Sequence, residues 1–410
     1  MQTKLFRRDF TLVVIGQIIS LFGNAILRFA LPLYLLRETG SSTLFGVVTA
    51  CSFAPMVILS MVGGVLADRV NKRDIMVGLD FSTAAIMFYF SLGKIPTVPL
   101  FIVVLMLLYG ISGTYQPAVQ ASVPLLVAKE KLMAGNAVIN QVNTLSGLLG
   151  PVIGGVMFTL WGIYPILLLS AACFTFSAIM EIFIHIPHEK RPREVGVLRV
   201  VGMDLKESYQ FVKTEKPIFF SVVFLVSIFN LVLSAVMIVG TPILITQVLG
   251  MSDTMYGFTQ GALALGGLCG GILTAIVSEK LKIQNSYVLL LVCSIAVAVM
   301  GISLFLNMPA IVSYWAITLM SFTAMGASTL FMVQVYTLVQ TQTPPQLVGK
   351  IMAALISIAM CGQPIGQAIY GVLFDIFAAH TWMVLIGAAI AAFLISLYSK
   401  KIFGRLENSK

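Results

Sequence analysis

Continuously apolar runs long enough to cross about 30 Å of hydrocarbon recur about twelve times along the chain, near 11–36, 44–67, 74–94, 99–120, 134–159, 161–186, 218–248, 254–279, 286–306, 309–340, 349–377 and 380–400. Strands of a membrane barrel would instead alternate apolar and polar residues over segments of about ten. The pattern predicts an all-α polytopic membrane protein with twelve transmembrane helices. The first run is too long for the apolar region of a signal peptide and carries no small-residue cleavage site, so it is expected to stay as the first span. The polar stretch 187–217 is expected to be a linker between two six-helix halves, 1–186 and 218–401, with a tail at 402–410.

Polar residues inside the spans are not scattered. Span 1 carries Gln17, Ser20, Asn24 and Arg28 at steps of three and four, which stacks them on one helical face. Span 4 does the same with Tyr109, Ser112, Gln116 and Gln120, span 7 with Ser227, Asn230, Ser234 and Thr241, and span 10 with Ser321, Met325, Thr329, Tyr336 and Gln340. Polar side chains facing hydrocarbon lack partners. The stripes therefore predict a wet substrate cavity lined by Gln17, Asn24, Arg28, Tyr109, Gln116, Gln120, Asn230, Ser234, Tyr336 and Gln340. Hydrogen bonding between helices in a dry bundle is the competing reading. Spans 9 and 12 hold no Asn, Gln or charged residue in their interiors, and spans 3 and 6 only Asp80 and Glu181, so these four are expected to face lipid.

Composition agrees with this class. The chain of 410 residues is 59% hydrophobic and 10% charged, with a mean hydropathy of +0.99, against roughly 25% charged residues in soluble domains. That excludes a soluble enzyme, a nucleic-acid-binding domain and a disordered tail. Of 25 Lys and Arg, 22 fall in the N-terminus, the even-numbered loops, the linker and the C-terminal tail. The positive-inside rule then puts both termini and the linker in the cytoplasm, so the net charge of +9 is first a topology signal. The five cysteines (51, 173, 269, 293 and 361) all lie inside spans, and the three histidines form no ligand cluster, so neither a metal site nor a disulfide framework is expected. With no P-loop, dinucleotide fingerprint or nucleophile elbow, neither ATP hydrolysis by this chain nor an enzyme activity is expected.

The halves resemble each other. A shift of 210 places Ser20 on Asn230, Asn24 on Ser234 and Pro32 on Pro242. Gly63-Gly64 recurs as Gly270-Gly271, Val119-Gln120 as Val339-Gln340, and Gly150 and Gly154 as Gly362 and Gly366, with offsets of 207 to 220. Such repeats are characteristic of secondary transporters, which bind substrate near the repeat interface and alternate access.

Between spans 2 and 3 the chain reads Gly64-Val-Leu66-Ala67-Asp68-Arg69-Val-Asn71-Lys72-Arg73. This resembles the loop signature of the major facilitator superfamily, and the resemblance extends over nearly the whole length. It implies a conformational latch made of Gly64, Asp68, Arg69, Lys72 and Arg73. Asn71 replaces the usual second glycine, which is expected to be tolerated because Asn accepts a left-handed backbone. The second-half counterpart of Asp68 is Ala275, so the latch is expected to be asymmetric. In span 5, Ser146-Gly147-Leu-Leu-Gly150-Pro151-Val-Ile-Gly154-Gly155 is similar to a signature of the drug:proton antiporter branch. That likeness implies a hinge at Gly147, Gly150, Pro151, Gly154 and Gly155. The opening stretch further resembles the macrolide-efflux and enterobactin-exporter group within the superfamily.

The resemblance implies a secondary active transporter that exports an amphipathic small molecule across the cytoplasmic membrane of a bacterium in exchange for protons, as a monomer and without a cofactor beyond the proton gradient. A lysophospholipid flippase, an uptake facilitator and a non-transporting sensor or scaffold are the alternatives. Placing Arg at a helix centre costs about 2.5 to 3.5 kcal/mol on insertion scales, so Arg28 is expected to meet water, an acid or an anionic substrate. Asp80 and Glu181 are the candidate proton carriers, because no acid lies on the polar stripes and Asp375 falls at the outer end of span 11.

Overall fold

The computed structural model describes residues 6–92, 98–128, 131–187, 197–277, 283–344 and 347–405. Among these residues there is no strand, and nearly all are helical, as expected where only helix or a closed barrel can satisfy the backbone without water. The helices are α1 (Arg8–Thr39), α2 (Ser42–Arg69), α3 (Lys72–Ser91), α4 (Val98–Leu126), α5 (Leu132–Trp161), α6 (Ile163–Ile182) and α7 (Val197–Thr214). Then come α8 (Ile218–Val248), α9 (Asp253–Val277), α10 (Ser286–Phe305), α11 (Ala310–Thr341), α12 (Val348–Met360), α13 (Gly362–Ile376) and α14 (Thr381–Arg405). Eleven described segments are long and apolar enough to cross a membrane. Glycine-rich α9, at 25 residues, takes the remaining place, which gives two six-helix halves. The twelve spans are thus α1 to α6, α8 to α11, α12 with α13, and α14.

Three departures from regular helix matter for the site. Within α8 the backbone widens into π-type turns at Asn230–Ser234 and Ile243–Val248, a feature that often marks functional positions. Span 11 breaks at Cys361 between α12 and α13, because Pro364 withdraws the N–H that would close on Met360. Asn230 Nδ2 donates to the neighbouring Ala359 carbonyl at 3.1 Å. The linker is the third: 197–214 is not loop but the amphipathic helix α7. Its buried Phe211 and Val212 pack with Phe219, Val339 and Ile351, and its Glu207 pairs with Lys350 at 2.7 Å.

Contacts divide the chain into one unit of residues 1–38 and 51–197 and a second of 39–50 and 198–410. Continuous α2 therefore starts in the second unit and runs on in the first. The packing inside each unit repeats. In the first, Gly150 of α5 lies against Ala25 of α1, and Gly63 of α2 against Thr114 of α4. In the second, Gly366 of α13 lies against Leu231 and Ala235 of α8, and Gly270 of α9 against Gly326 of α11. By contact Gly366 is the counterpart of Gly150, one helical turn from the match read in the sequence, since Gly362 instead meets Ser227. Small residues permit these close helix approaches.

Candidate functional site

The first unit encloses a cavity of about 430 Å³ between α1, α2, α4 and α5. Asn24 and Arg28 reach it from α1, Gln116 and Gln120 from α4. Met56 and Ser60 of α2 and Asn143, Ser146 and Gly147 of α5 also line it. Gly150 and Gly154 seat α5 on Ala25, Ile26 and Phe29 of α1, while Gly147 has open space beside it. Pro151 sits inside α5 and Gly155 is buried. The small-residue stripe thus lets α5 approach α1 and form the cavity wall.

Arg28 is exposed. Its guanidinium carbon lies 4.4 Å from the centroid of the Tyr109 ring, a cation–π stack, and its NH2 group is 3.6 Å from Met56 Sδ. Among the described residues no carboxylate pairs with it. The charge thus stays available to an incoming group while Tyr109 and Met56 fix its direction.

The second unit holds a different cavity, of about 210 Å³ and mostly apolar. Phe229, Leu233, Met237, Leu263 and Met325 supply its walls, and polar groups come only from Ser234, Gln260, Ser328 and Gln363. Flexible, polarisable methionines suit variable apolar ligands. Gln260 is a lining residue that the stripes miss because it stands on span 8; Tyr256 and Thr241 accept from its amide at 3.0 and 3.3 Å. Asn230 and Tyr336 line a neighbouring cleft, and Ser234 Oγ donates to Asn230 Oδ1 at 2.9 Å.

Three predicted cavity residues line none of the cavities described: Tyr109, which stacks on Arg28, Gln17 and Gln340. Gln17 is completely buried, with neither amide atom hydrogen-bonded among the described residues. Gln340 is exposed near the C-terminal end of α11. A stripe marks one helix face, and the face is longer than the cavity.

Asp80 and Glu181, the acids of spans 3 and 6, lie on the inner faces of those helices. They are 2% and 0% exposed and turn into the first unit, where α1, α3, α4 and α6 meet. Ser20 Oγ donates to Asp80 Oδ2 at 2.5 Å and lies 2.9 Å from Ser177 Oγ. Tyr115 OH donates to Glu181 Oε1 at 2.6 Å. The Glu181 carboxyl lies over Gly16 of α1, where a Cβ would be 3.3 Å from Oε1.

Of the predicted latch, the side chains of Gly64, Asp68 and Arg69, and that of Ala275, lie outside the described residues. Lys72 opens α3, and Arg73 forms two hydrogen bonds with Asp74, at 2.9 and 2.8 Å. Asn71 does not adopt the left-handed backbone expected of it. It sits at φ −59°, and its side chain caps α3 by accepting from Arg73 N–H at 3.0 Å, the usual role of Asn at this position.

The structure shows a carboxylate cap at another place. Asp375, near the end of α13, accepts from the backbone N–H groups of Ser42 and Thr43, both at 2.8 Å, and from Ser41 Oγ at 3.0 Å. It thereby caps α2, whose first N–H groups have no partner within the helix. Asp375→Ala is expected to lower stability by about 1 to 2 kcal/mol, the cost of a lost cap. The check is thermal unfolding of the purified protein in detergent. Unchanged unfolding would show that the cap is energetically idle.

Known proteins match this architecture. A family model described as Major Facilitator Superfamily matches residues 13–358. Macrolide efflux protein A of Streptococcus pyogenes is 25% identical over 409 residues, covering 93% of each chain. The enterobactin exporter EntS of Escherichia coli O1:K1 is 26% identical over 372 residues, covering 88% of this chain and 84% of its own. The fold is shared with the nucleoside transporter NupG, at TM-score 0.76, 13% identity and coverage of 96% of this chain and 99% of that one. It is also shared with a bacterial homologue of the iron transporter ferroportin in its inward-facing state, at TM-score 0.72, 16% identity and coverage of 96% and 98%. On the match of the family model to most of its length, the chain belongs to the major facilitator superfamily of membrane transporters.

Proposed function

We propose that this transporter exports an amphipathic small molecule with a neutral or anionic polar end, such as a macrolide-like drug or a siderophore, out through the cytoplasmic membrane in exchange for protons. The observation that carries this reading is Arg28, a fixed cation without an acid opposite it among the described residues, lining a cavity that Asn24, Gln116, Gln120 and Asn143 also reach. A fixed positive charge attracts anions and repels cationic amphiphiles. The second unit adds the complementary chemistry, an apolar cavity with two methionines, so an amphipathic molecule finds both kinds of surface in this chain. The two efflux relatives support the outward direction. The basic residues of linker and termini support cytoplasmic ends. A lysophospholipid with an anionic head is the second reading, because it has the same charge and the same apolar bulk.

Respiring inside-out vesicles test the proposal with a panel of neutral, anionic and cationic amphiphiles. Anionic and neutral compounds are expected to accumulate, the cationic ones not, and a protonophore is expected to abolish accumulation. Absence of gradient-dependent uptake of every compound would overturn proton-driven export. Flip of a labelled lysolipid in the same vesicles, with no uptake of the soluble compounds, would establish the second reading.

A further inference from the structure

We propose that the exchanged proton is held by the Asp80–Glu181 carboxyl pair, a site buried behind the cavity, and that Tyr115 joins this site to the substrate. The proposal rests on the reading of proton-driven export. It begins from a juxtaposition: two acids from α3 and α6, completely or almost completely buried, meet the same stretch of α1, where Ser20 binds both Asp80 and Ser177 and Gly16 lies under both Ser177 and the Glu181 carboxyl. The groups that face them are hydroxyls, Ser20 of α1, Ser177 of α6 and Tyr115 of α4. Among the described residues no Lys, Arg or His pairs with either acid. The nearest charges on their own helices are Lys72, Arg73 and Asp74 at the start of α3, and Arg73 and Asp74 satisfy each other.

Two buried carboxylates without a cation carry a heavy desolvation and repulsion penalty. One proton on the pair relieves most of it. Tyr115 already donates to Glu181 Oε1, whereas Oε2 is buried without a hydrogen-bond partner among the described residues. Oε2 is therefore the atom on which the proton sits in this conformation, with Asp80, accepting from Ser20, as the second acceptor.

One connection to the cavity is direct, through Tyr115. The Tyr115 side chain lines the cavity beside Gln116 while its hydroxyl binds Glu181. Asn24, another lining residue, donates to the Ser20 carbonyl at 2.9 Å and accepts from Ser112 Oγ at 3.2 Å. A molecule that displaces Tyr115 thus changes the hydrogen bonding of Glu181 without touching it. Exchange follows: a proton taken from the outside is held on the pair, and its release to the cytoplasm restores the cavity for the next substrate. The O–H bond of the carboxyl is the one bond made on uptake and broken on release, and no oxidation or group transfer accompanies it.

Infrared difference spectra of the protein in lipid nanodiscs, recorded between acid and alkaline buffer, test the site without any substrate. The unmodified protein is expected to show a protonated-carboxyl C=O band that titrates. D80N and E181Q should each remove or shift it, and D80N/E181Q should abolish it. Tyr115→Phe, which keeps the ring, should shift the band by deleting its hydrogen bond. An unmodified protein without such a band, or a double variant that retains it, would overturn the site. The near-isosteric single variants and Ser20→Ala keep the test open should the double variant fail to fold. The vesicle assay separates the two readings. Protonophore-sensitive accumulation that persists in D80N/E181Q removes the site and leaves proton-driven export. A titrating carboxyl band in a protein whose transport ignores the proton gradient removes export and leaves the site.

Discussion

Arg28→Gln is expected to move transport away from anionic amphiphiles by about 10 to 100-fold, the equivalent of one charge-assisted hydrogen bond of about 1.5 to 3 kcal/mol. Neutral compounds should change little, and cationic ones should gain because the repelling charge has gone. The structure makes this a clean experiment. Arg28 contacts only the Tyr109 ring and Met56 Sδ among the interactions described and pairs with no described acid, so its loss leaves no buried charge behind. Unfolding should shift by no more than about 0.5 kcal/mol, as for a surface substitution. The measurement is competition between anionic, neutral and cationic compounds for uptake into inside-out vesicles. Equal transport of the whole panel by both proteins would remove Arg28 from the substrate site.

Gly371→Leu is expected to abolish transport and to destabilise the protein. A Cβ at this position of α13 would lie 2.7 Å from the Ser42 carbonyl oxygen, 3.0 Å from Gly46 Cα and 3.2 Å from Thr43 Cα. All three are backbone atoms of α2 and cannot rotate away. A Cβ at Gly46 would in turn meet the Gln367 carbonyl and Gly371 Cα. The helices must therefore separate exactly one turn from the Asp375 cap, and the cap opens with them. Overpacking alone costs about 1 to 3 kcal/mol, and loss of the cap adds to it. Gly387→Leu on α14 is the control, because nothing lies within 4 Å of a Cβ there; its unfolding temperature should stay equal or rise with the better helix propensity. Normal transport by the Gly371 variant would show that this crossing is not needed during the cycle.

The cap also changes how the two ends of α2 compare. The sequence places Asp68 at one end and finds only Ala275 as its counterpart in the second half, which implies an asymmetric device. In the structure, a carboxylate at the end of α13 holds the start of α2. It could not be found by matching repeats, since Asp375 is not at the position equivalent to Asp68. Its signal lies in Ser41-Ser42-Thr43, a run of capping residues at a helix start, which shows that a cap is needed without saying which acid supplies it.

The spans, their number and the division into two halves were legible in the chain because the bilayer imposes them: each run must be apolar, close to one hydrocarbon thickness long, and internally hydrogen-bonded. The stripes on spans 1 and 4 were legible for a similar reason, since helical period places Asn24 with Arg28 and Gln116 with Gln120 whatever surrounds them. Periodicity does not say what faces a stripe. It put Gln17 in the cavity when packing buries it, and it could not show that Ser20 of α1 and Tyr115 of α4 face Asp80 and Glu181. The linker helix was hidden by its charge, because an amphipathic helix whose described buried residues are Ser208, Phe211 and Val212 resembles a polar loop in composition. By itself the sequence determined a twelve-helix membrane transporter of repeated halves with a cation in its first span. Only the tertiary structure decided that Tyr115, Glu181, Ser20 and Asp80 form one buried cluster at the cavity wall, because residues from four helices meet through close packing and not through any spacing along the chain.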